Sequence, residues 1–569
     1  MRHGNNFHVV TLLSLVALGG LFWLPPYFVF LATTGVLVAI MVRSLGVVTD
    51  QAGLISLCHM TFAGIGAWAV CWLNIHMPSI PYILTLILGA GAGLCAGILL
   101  GLPALRLRGL NLAAITLTFA VAVDAVFSTK GFPGGSSMQS FKRPGYLADD
   151  YVFLTFCIAM MLLVIVGLRL ISRSRLGASW EAIRYSERAT ASMGISVARA
   201  KLSAFAISAG IAGLVGGLTA SQLGMLTSSN FSPLSSLSLF ALAIFAGGKY
   251  WEGAIVAGLL SVGVPEVLRR FGLPLDLDAV IFAIGAIDAL RKRTSFAGGL
   301  RRTLKIRKNR KAAEIARPPE TGLEINRLDS ARFRLEVVSK LEIADLRVNY
   351  GNVVAVDRFG LALEPGCIAG LVGPNGAGKS TIIDAITGFL PQATGTVKLG
   401  NVELMQQGPT LRARIGIRRT FQQGRSIPEL TVGQYLSLSS GGEMSDDDID
   451  LILAFLDCPP SSTLISEIEI GLRRLIEVAA SLSARPRVLL LDEPAAGLSA
   501  DQSATLAEHI ARIPEVFGCS VLIVEHDMDI IRRVCNKIIV VDFGRVIAEG
   551  SPEEVLGQPQ VLEAYLGAA

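Results

Sequence analysis

Gly373-Pro374-Asn375-Gly376-Ala377-Gly378-Lys379-Ser380-Thr381 lies between a short apolar run, Ile368 to Val372, and a stretch of helical character, Thr381 to Leu390. Strand, glycine loop and helix in that order is the arrangement a phosphate-binding loop requires. The glycines let backbone N–H groups converge on phosphate oxygens without a Cβ clash, and the helix N-terminus adds a favourable dipole. Lys379 is placed to reach the β- and γ-phosphates, and the Ser380 hydroxyl to ligate Mg²⁺. The stretch reads as a nucleotide site.

Working outward, 569 residues exceed what one core can organise. A hydrophobic content of 52%, only 17% charged residues and a mean hydropathy of +0.56 are too apolar for a wholly soluble chain. The excess sits in residues 1 to about 290, and the remainder has ordinary globular composition. A net charge of +5 gives no reason to expect nucleic acid. The eight cysteines include no C-x-x-C pair, so neither a disulfide framework nor a zinc site is expected.

Segments able to span a bilayer fall near 8–24, 27–46, 52–74, 80–102, 110–127, 151–171, 201–222, 233–248, 253–269 and 274–290. Several are short or glycine-rich, which predicts an all-α polytopic domain of eight to ten helices over 1–300. Gly89, Gly91, Gly93, Gly97 and Gly101 read as sites of close helix packing. Residues 291–311 carry ten Lys/Arg and no acid, and 172–201 carry Arg173, Arg175, Arg184, Arg188, Arg199 and Lys201 against Glu181 and Glu187. Both should face the cytoplasm. The 172–200 loop has room for two short helices, either as a basic linker or as an element that docks onto the second half and transmits its motion. Asp124 and His59 are ionisable groups in apolar runs; each is either a substrate contact or a hydrogen-bonded structural group.

Residues 301–337 mix basic residues with Pro318-Pro319 and read as a linker. From 338 the pattern becomes that of an α/β domain, with strands Leu341 to Tyr350 and Val353 to Leu363 ahead of the phosphate loop. Tyr350, 29 residues before Lys379, is either an adenine-stacking ring or an ordinary strand aromatic. Val488-Leu489-Leu490-Leu491-Asp492-Glu493-Pro494 is a buried strand ending in two carboxylates: Asp492 at the tip to support Mg²⁺, Glu493 to polarise the attacking water. Ser520 to Val524 delivers Glu525-His526-Asp527, and His526 can contact the γ-phosphate and the water. Gln422, within Arg419-Thr420-Phe421-Gln422-Gln423, can contact Mg²⁺ or water and sense the membrane half.

Together these motifs resemble the nucleotide-binding domain of ABC transporters, over essentially all of 338–569. In the membrane half, Gly53-Leu54-Ile55-Ser56-Leu57-Cys58-His59, Leu105-Arg106-Leu107-Arg108-Gly109-Leu110 and Lys201-Leu202-Ser203-Ala204-Phe205-Ala206-Ile207-Ser208 resemble a permease of the branched-chain amino-acid importer family. Asp492-Glu493-Pro494-Ala495-Ala496-Gly497-Leu498 and Glu563-Ala564-Tyr565-Leu566-Gly567 look like that family's ATPase subunit. The chain therefore looks like a fusion of two components often encoded separately. The resemblance implies ATP and Mg²⁺, and a multi-pass location in a bacterial inner membrane with the ATPase domain in the cytoplasm. It also implies a second permease, a second ABC ATPase subunit and a periplasmic substrate-binding protein that selects the solute. An exporter half-transporter and a non-transporting membrane ATPase are the rival readings.

The same resemblance implies a head-to-tail ATPase dimer, each ATP held between one phosphate loop and the opposite domain's Ser-Gly-Gly signature. Ser439-Ser440-Gly441-Gly442-Glu443 imitates that signature but lies too far before Asp492. The family position is Ile468-Glu469-Ile470-Gly471-Leu472, ahead of a helix expected over Arg473 to Leu482. There Gly471 remains, and Glu469 stands where a serine would meet the γ-phosphate. Two like charges about 4 Å apart repel by roughly 4 kcal/mol at an effective dielectric of about 20. An asymmetric dimer with one weak site is the expectation.

Overall fold

Proline suits the first turn of a helix, where the N–H it lacks is unpaired anyway, and Pro26 and Pro233 each open a helix of the apolar half. The computed structural model describes residues 25–105, 107, 109–134, 139–274, 277–292, 294–301, 333, 339–421 and 426–566. Contacts divide these into two units. One runs to Trp180 and resumes at Ala198; the other joins Glu181–Val197 to the residues after 319.

Among the described residues the first α-helices in chain order are α1 Pro26–Gly46, α2 His59–His76, α3 Tyr82–Ala104, α4 Leu110–Lys130, α5 Asp150–Arg173, α6 Arg175–Tyr185, α7 Glu187–Ser192, α8 Val197–Leu223, α9 Pro233–Ala246, α10 Trp251–Arg270 and α11 Leu277–Lys292. Among the described residues, seven spans are long and apolar enough to cross a bilayer. The expected crossing at 8–24, Arg106, Arg108 and most of the 301–337 linker lie outside the described residues. Exposed Leu99, Leu170 and Ile284 give α3, α5 and α11 outward faces suited to hydrocarbon rather than water.

Of the five glycines expected to pack helices on α3, four do. A Cβ on Gly89 would collide with the Val70 side chain, one on Gly93 would lie 2.5 Å from the Ala209 carbonyl oxygen, on Gly97 2.5 Å from Ala209 Cβ, and on Gly101 2.9 Å from Leu202. Gly91 meets nothing, because residues 89, 93, 97 and 101 share one helix face and 91 falls off it. Gly93→Ala is therefore expected to lower the unfolding midpoint of the detergent-solubilised protein by a few degrees, equivalent to about 1–3 kcal/mol of overpacking. Gly91→Ala leaves it unchanged or slightly higher.

The crossing expected at 52–74 begins only at His59. After α1 the chain makes one π-turn, Val47–Gln51, then runs irregularly with Gly53 at φ +68°. Hydropathy registers the apolar run but not this break, which side-chain hydroxyls make tolerable: Thr116 Oγ1 accepts from Leu57 N at 3.1 Å, and Ser236 Oγ from Met60 N at 3.2 Å. His59 is buried with Nε2 2.6 Å from Ser44 Oγ of α1, the hydrogen-bonded arrangement. Asp124 lies partly exposed in α4.

The second unit carries two sheets. β1 Leu341–Tyr350 and β2 Val353–Leu363 join β4 Thr394–Leu399 and β5 Val402–Glu403 in an antiparallel sheet of order β2-β1-β4-β5. β3 Ile368–Val372, β6 Ile417–Arg419, β7 Val488–Asp492, β8 Ser520–Val524, β9 Lys537–Asp542 and β10 Arg545–Gly550 form the other, ordered β10-β9-β3-β8-β7-β6. All its pairs are parallel except β10 with β9. Every residue of β3, β7 and β8 is buried, as expected of parallel strands covered on both faces. The intervening helices are α12 Lys379–Ile386, α13 Pro409–Ile415, α14 Val432–Ser439, α15 Asp446–Phe455, α16 Ile470–Ser483 and α17 Ala500–Phe517, followed by α18 Met528–Val534. The helix expected over Thr381 to Leu390 is thus α12. It starts two residues earlier, N-capped by Gly378, and ends before Gly388 at φ +80°.

Candidate nucleotide site

Parallel pairing of β6, β7, β8 and β3 puts their C-terminal ends on one edge of the sheet. Arg419-Thr420, Asp492-Glu493, Glu525-His526 and the loop Gly373–Gly378 all leave from that edge, where open α/β sheets bind ligands. The loop's shape needs its glycines: a Cβ on Gly373 would collide with the Val541 carbonyl oxygen, and on Gly378, at φ +98°, it would lie 2.7 Å from that of Ala355. Lys379 is buried, and its Nζ donates to the carbonyls of Gly373 at 2.7 Å and Pro374 at 2.9 Å. Burial lowers its pKa, while the Glu493 and Asp492 charges act to raise it. Asn375, Gly376 and Ser380 are exposed, Ala377 is buried, and Thr381 is partly buried in the first turn of α12.

Asp492, 5% exposed, ends β7. Its pKa is raised mainly by burial, against the lowering charge of Arg419. Glu493 follows at φ +49°, a left-handed conformation rare for a glutamate and held by its N–H to Val524 O at 2.8 Å. His526 Nε2 lies 3.2 Å from Glu493 Oε1, so the two side chains predicted to act on water meet. Tyr350 stands half-exposed at the end of β1, paired with exposed Val353. Gln422 and Gln423 lie outside the described residues.

Glu469 is the N-cap of α16, exposed, with no side-chain cap bond; α16 begins at Ile470 rather than Arg473. Gly471 sits in its first turn, where a Cβ would come 2.8 Å from Leu498. By contrast Ser439 closes α14, and Gly441 and Gly442 turn away at φ +70° and +69°. A helix C-terminus turns carbonyls outward and offers no N–H groups to a phosphate.

Sequence reasoning missed several residues at this edge. Arg419 reaches Asp384 Oδ1 at 2.5 Å and Asp492 Oδ2 at 3.2 Å. Arg474 of α16 donates to the Glu493 carbonyl at 2.6 Å, and Glu525 Oε1 accepts from Ala495 N at 2.8 Å. The signal for Arg419 and Glu525 was charge at the tip of a buried strand, where an unpaired charge is costly. Glu181–Val197 belongs to this unit through Arg188 to Asp384 at 2.7 Å, Tyr185 Oη to Glu429 at 2.6 Å, and Arg414 Nε to Gly194 O at 2.7 Å.

With this geometry in place, similarity to known proteins is specific. Residues 27–285 match the branched-chain amino acid transport system permease component, 356–496 the ABC transporter domain, and 545–569 the branched-chain amino acid ATP-binding cassette transporter family. The high-affinity branched-chain amino acid transport ATP-binding protein LivG of Escherichia coli K12 is 32% identical over 250 residues, 40% of this chain and 98% of LivG. BraF of Pseudomonas aeruginosa is 30% identical over 254 residues, 40% of this chain and 98% of BraF. The chain belongs to the branched-chain amino acid ABC transporter family. The MJ1267 ATP-binding cassette in its ADP conformation is 28% identical, covering 41% of this chain and 100% of that one with a TM-score of 0.38.

This ABC transporter chain carries permease and ATPase in one polypeptide, and its second half is an ATP-binding ATPase. Magnesium is tested by the donor set. No cluster of three or more His, Cys, Asp or Glu suited to a metal occurs among the described residues. One carboxylate, Asp492, and one hydroxyl, Ser380, is the sparse oxygen set of a magnesium that brings phosphate ligands with it, so the residues fit.

Proposed function

We propose that this chain is the fused permease and ATPase subunit of an importer for branched-chain or related amino acids in a bacterial inner membrane. The observation that carries the reading is the permease match over 27–285 ahead of an ATP-binding half in one chain. Lys379 and the amides of Gly373–Thr381 hold the phosphates, and Tyr350 stacks on adenine. Ser380, Asp492 and Gln422 would hold Mg²⁺, which when bound would supply positive charge against the β- and γ-phosphates. Glu493 takes the proton of the attacking water. His526, bonded to Glu493 at 3.2 Å, orients that carboxylate and reaches the γ-phosphate.

The 181–197 segment carries motion. It is bonded to the ATPase elements, while the chain runs back through the start of α6 to α5 and forward into α8. Closure of an ATPase dimer would pull on the membrane helices through it, and hydrolysis would release them. A second permease, a second ATPase domain, a periplasmic binding protein and membrane lipid complete the assembly. The ATPase half faces the cytoplasm.

Direction separates this reading from an exporter. The complex reconstituted in liposomes, ATP inside and binding protein with radiolabelled leucine outside, is expected to accumulate label. ATP-driven efflux of preloaded leucine instead would establish the exporter, and ATP turnover unrelated to any flux would establish a non-transporting ATPase.

A further inference from the structure

Between α7 and the tip of β7 runs an unbroken line of opposite charges: Arg188, Asp384, Arg419, Asp492. Arg188 holds one oxygen of Asp384, Oδ2, at 2.7 Å. Arg419 holds the other, Oδ1, at 2.5 Å, and extends its second nitrogen to Asp492 Oδ2 at 3.2 Å. The Arg419 side chain is 4% exposed, so its charge must stay on a carboxylate. The Phe389 ring stands against both guanidinium groups, 4.9 Å from that of Arg188 and 5.9 Å from that of Arg419.

We propose that Arg419 is a positioning residue for the magnesium carboxylate, shared between Asp492 and Asp384 in proportion to whether Arg188 of α7 engages Asp384. Arg419 sits on one oxygen of Asp492, Oδ2, and a guanidinium and a divalent cation on one carboxylate repel each other and compete for its charge. When the cation takes them, Arg419 needs Asp384 alone, and Arg188 is a rival for that charge. With Arg188 engaged, Arg419 leans to Asp492 and the cation binds more weakly; with Arg188 withdrawn, it binds more tightly. Reciprocity makes the converse hold: loading the cation loosens α7. The position of the 181–197 segment is thereby read at the nucleotide site by charge.

This rests on the reading of Asp492 as the magnesium carboxylate. The test uses the full-length chain in detergent and a fluorescent N-methylanthraniloyl-ATP, with Mg²⁺ titrated from a chelator-buffered start. The Mg²⁺ midpoint is the readout, and nucleotide affinity without Mg²⁺ checks folding. Arg188→Met is expected to lower the midpoint roughly fivefold, the size of coupling within one charge network. In an Arg419→Gln background the same substitution should do nothing. If Arg419→Gln fails the folding check, Asp384→Asn provides the second background, where the Arg188→Met shift should also vanish. Equal shifts in all backgrounds, or no shift in the parent chain, would overturn the relay. If Asp492→Asn leaves the midpoint unmoved, the magnesium reading itself fails and takes the relay with it; a relay that fails alone leaves Asp492→Asn shifted and Arg188→Met additive.

Discussion

Glu493→Gln is expected to leave ATP bound and reduce hydrolysis by the assembled transporter at least about a hundredfold, the contribution of a positioned general base. The geometry dictates the split between binding and turnover. Glu493 sits beyond the end of β7 at φ +49°, with its carboxylate 3.2 Å from His526 Nε2. Glutamine preserves size and the hydrogen bond to the imidazole but has no basic oxygen for a water proton. Lys379→Ala should fail differently. That ammonium is buried against the loop carbonyls, and in the proposed role its removal would withdraw a charge from the phosphates. Nucleotide affinity should fall about thirtyfold or more, as when one partner of a buried charge pair is truncated. Equilibrium binding of labelled ATP and phosphate release, measured on both variants, separate the two roles. A Glu493→Gln variant that hydrolyses at the parent rate would remove Glu493 from the chemistry.

What was legible before the structure followed physical scale. β1, β2, β3 and β8 have the bounds expected of them, and β7 starts where expected and stops at Asp492, because each is an apolar or alternating run closed by glycine, proline or charge. The phosphate loop was readable because its chemistry is local: nine consecutive residues carry it. Helix starts were less so. α16 begins at Ile470, whose exposed apolar side chain hides a helix N-terminus from any periodicity argument. The π-turn and irregular run before His59 escaped hydropathy entirely, since Thr116 and Ser236 from distant helices supply the missing hydrogen bonds. The charge line was invisible for the same reason. Arg419 and Asp492 are 73 positions apart, and only the parallel pairing of β6 with β7 makes them neighbours.

Glu469→Ser is expected to strengthen nucleotide binding at the site that α16 would complete across the proposed ATPase dimer. Glu469 caps that helix with its backbone only, so a serine there gains a side-chain acceptor for an early helix N–H, worth about 0.5–2 kcal/mol to the helix. Charge matters more. At about 4 Å from a γ-phosphate and an effective dielectric of about 20, the carboxylate repels by roughly 4 kcal/mol. Glu469 is exposed, so swinging away and solvent screening remove part of this. About tenfold tighter ATP binding at that site is the expectation, with the site built on Lys379, Asp492 and Glu493 untouched, since in the proposed dimer its signature would come from the partner. ATPase activity of the assembled complex should hold or rise. Loss of activity on introducing the serine would mean that the glutamate is required where it stands, and the asymmetric arrangement would have to be abandoned.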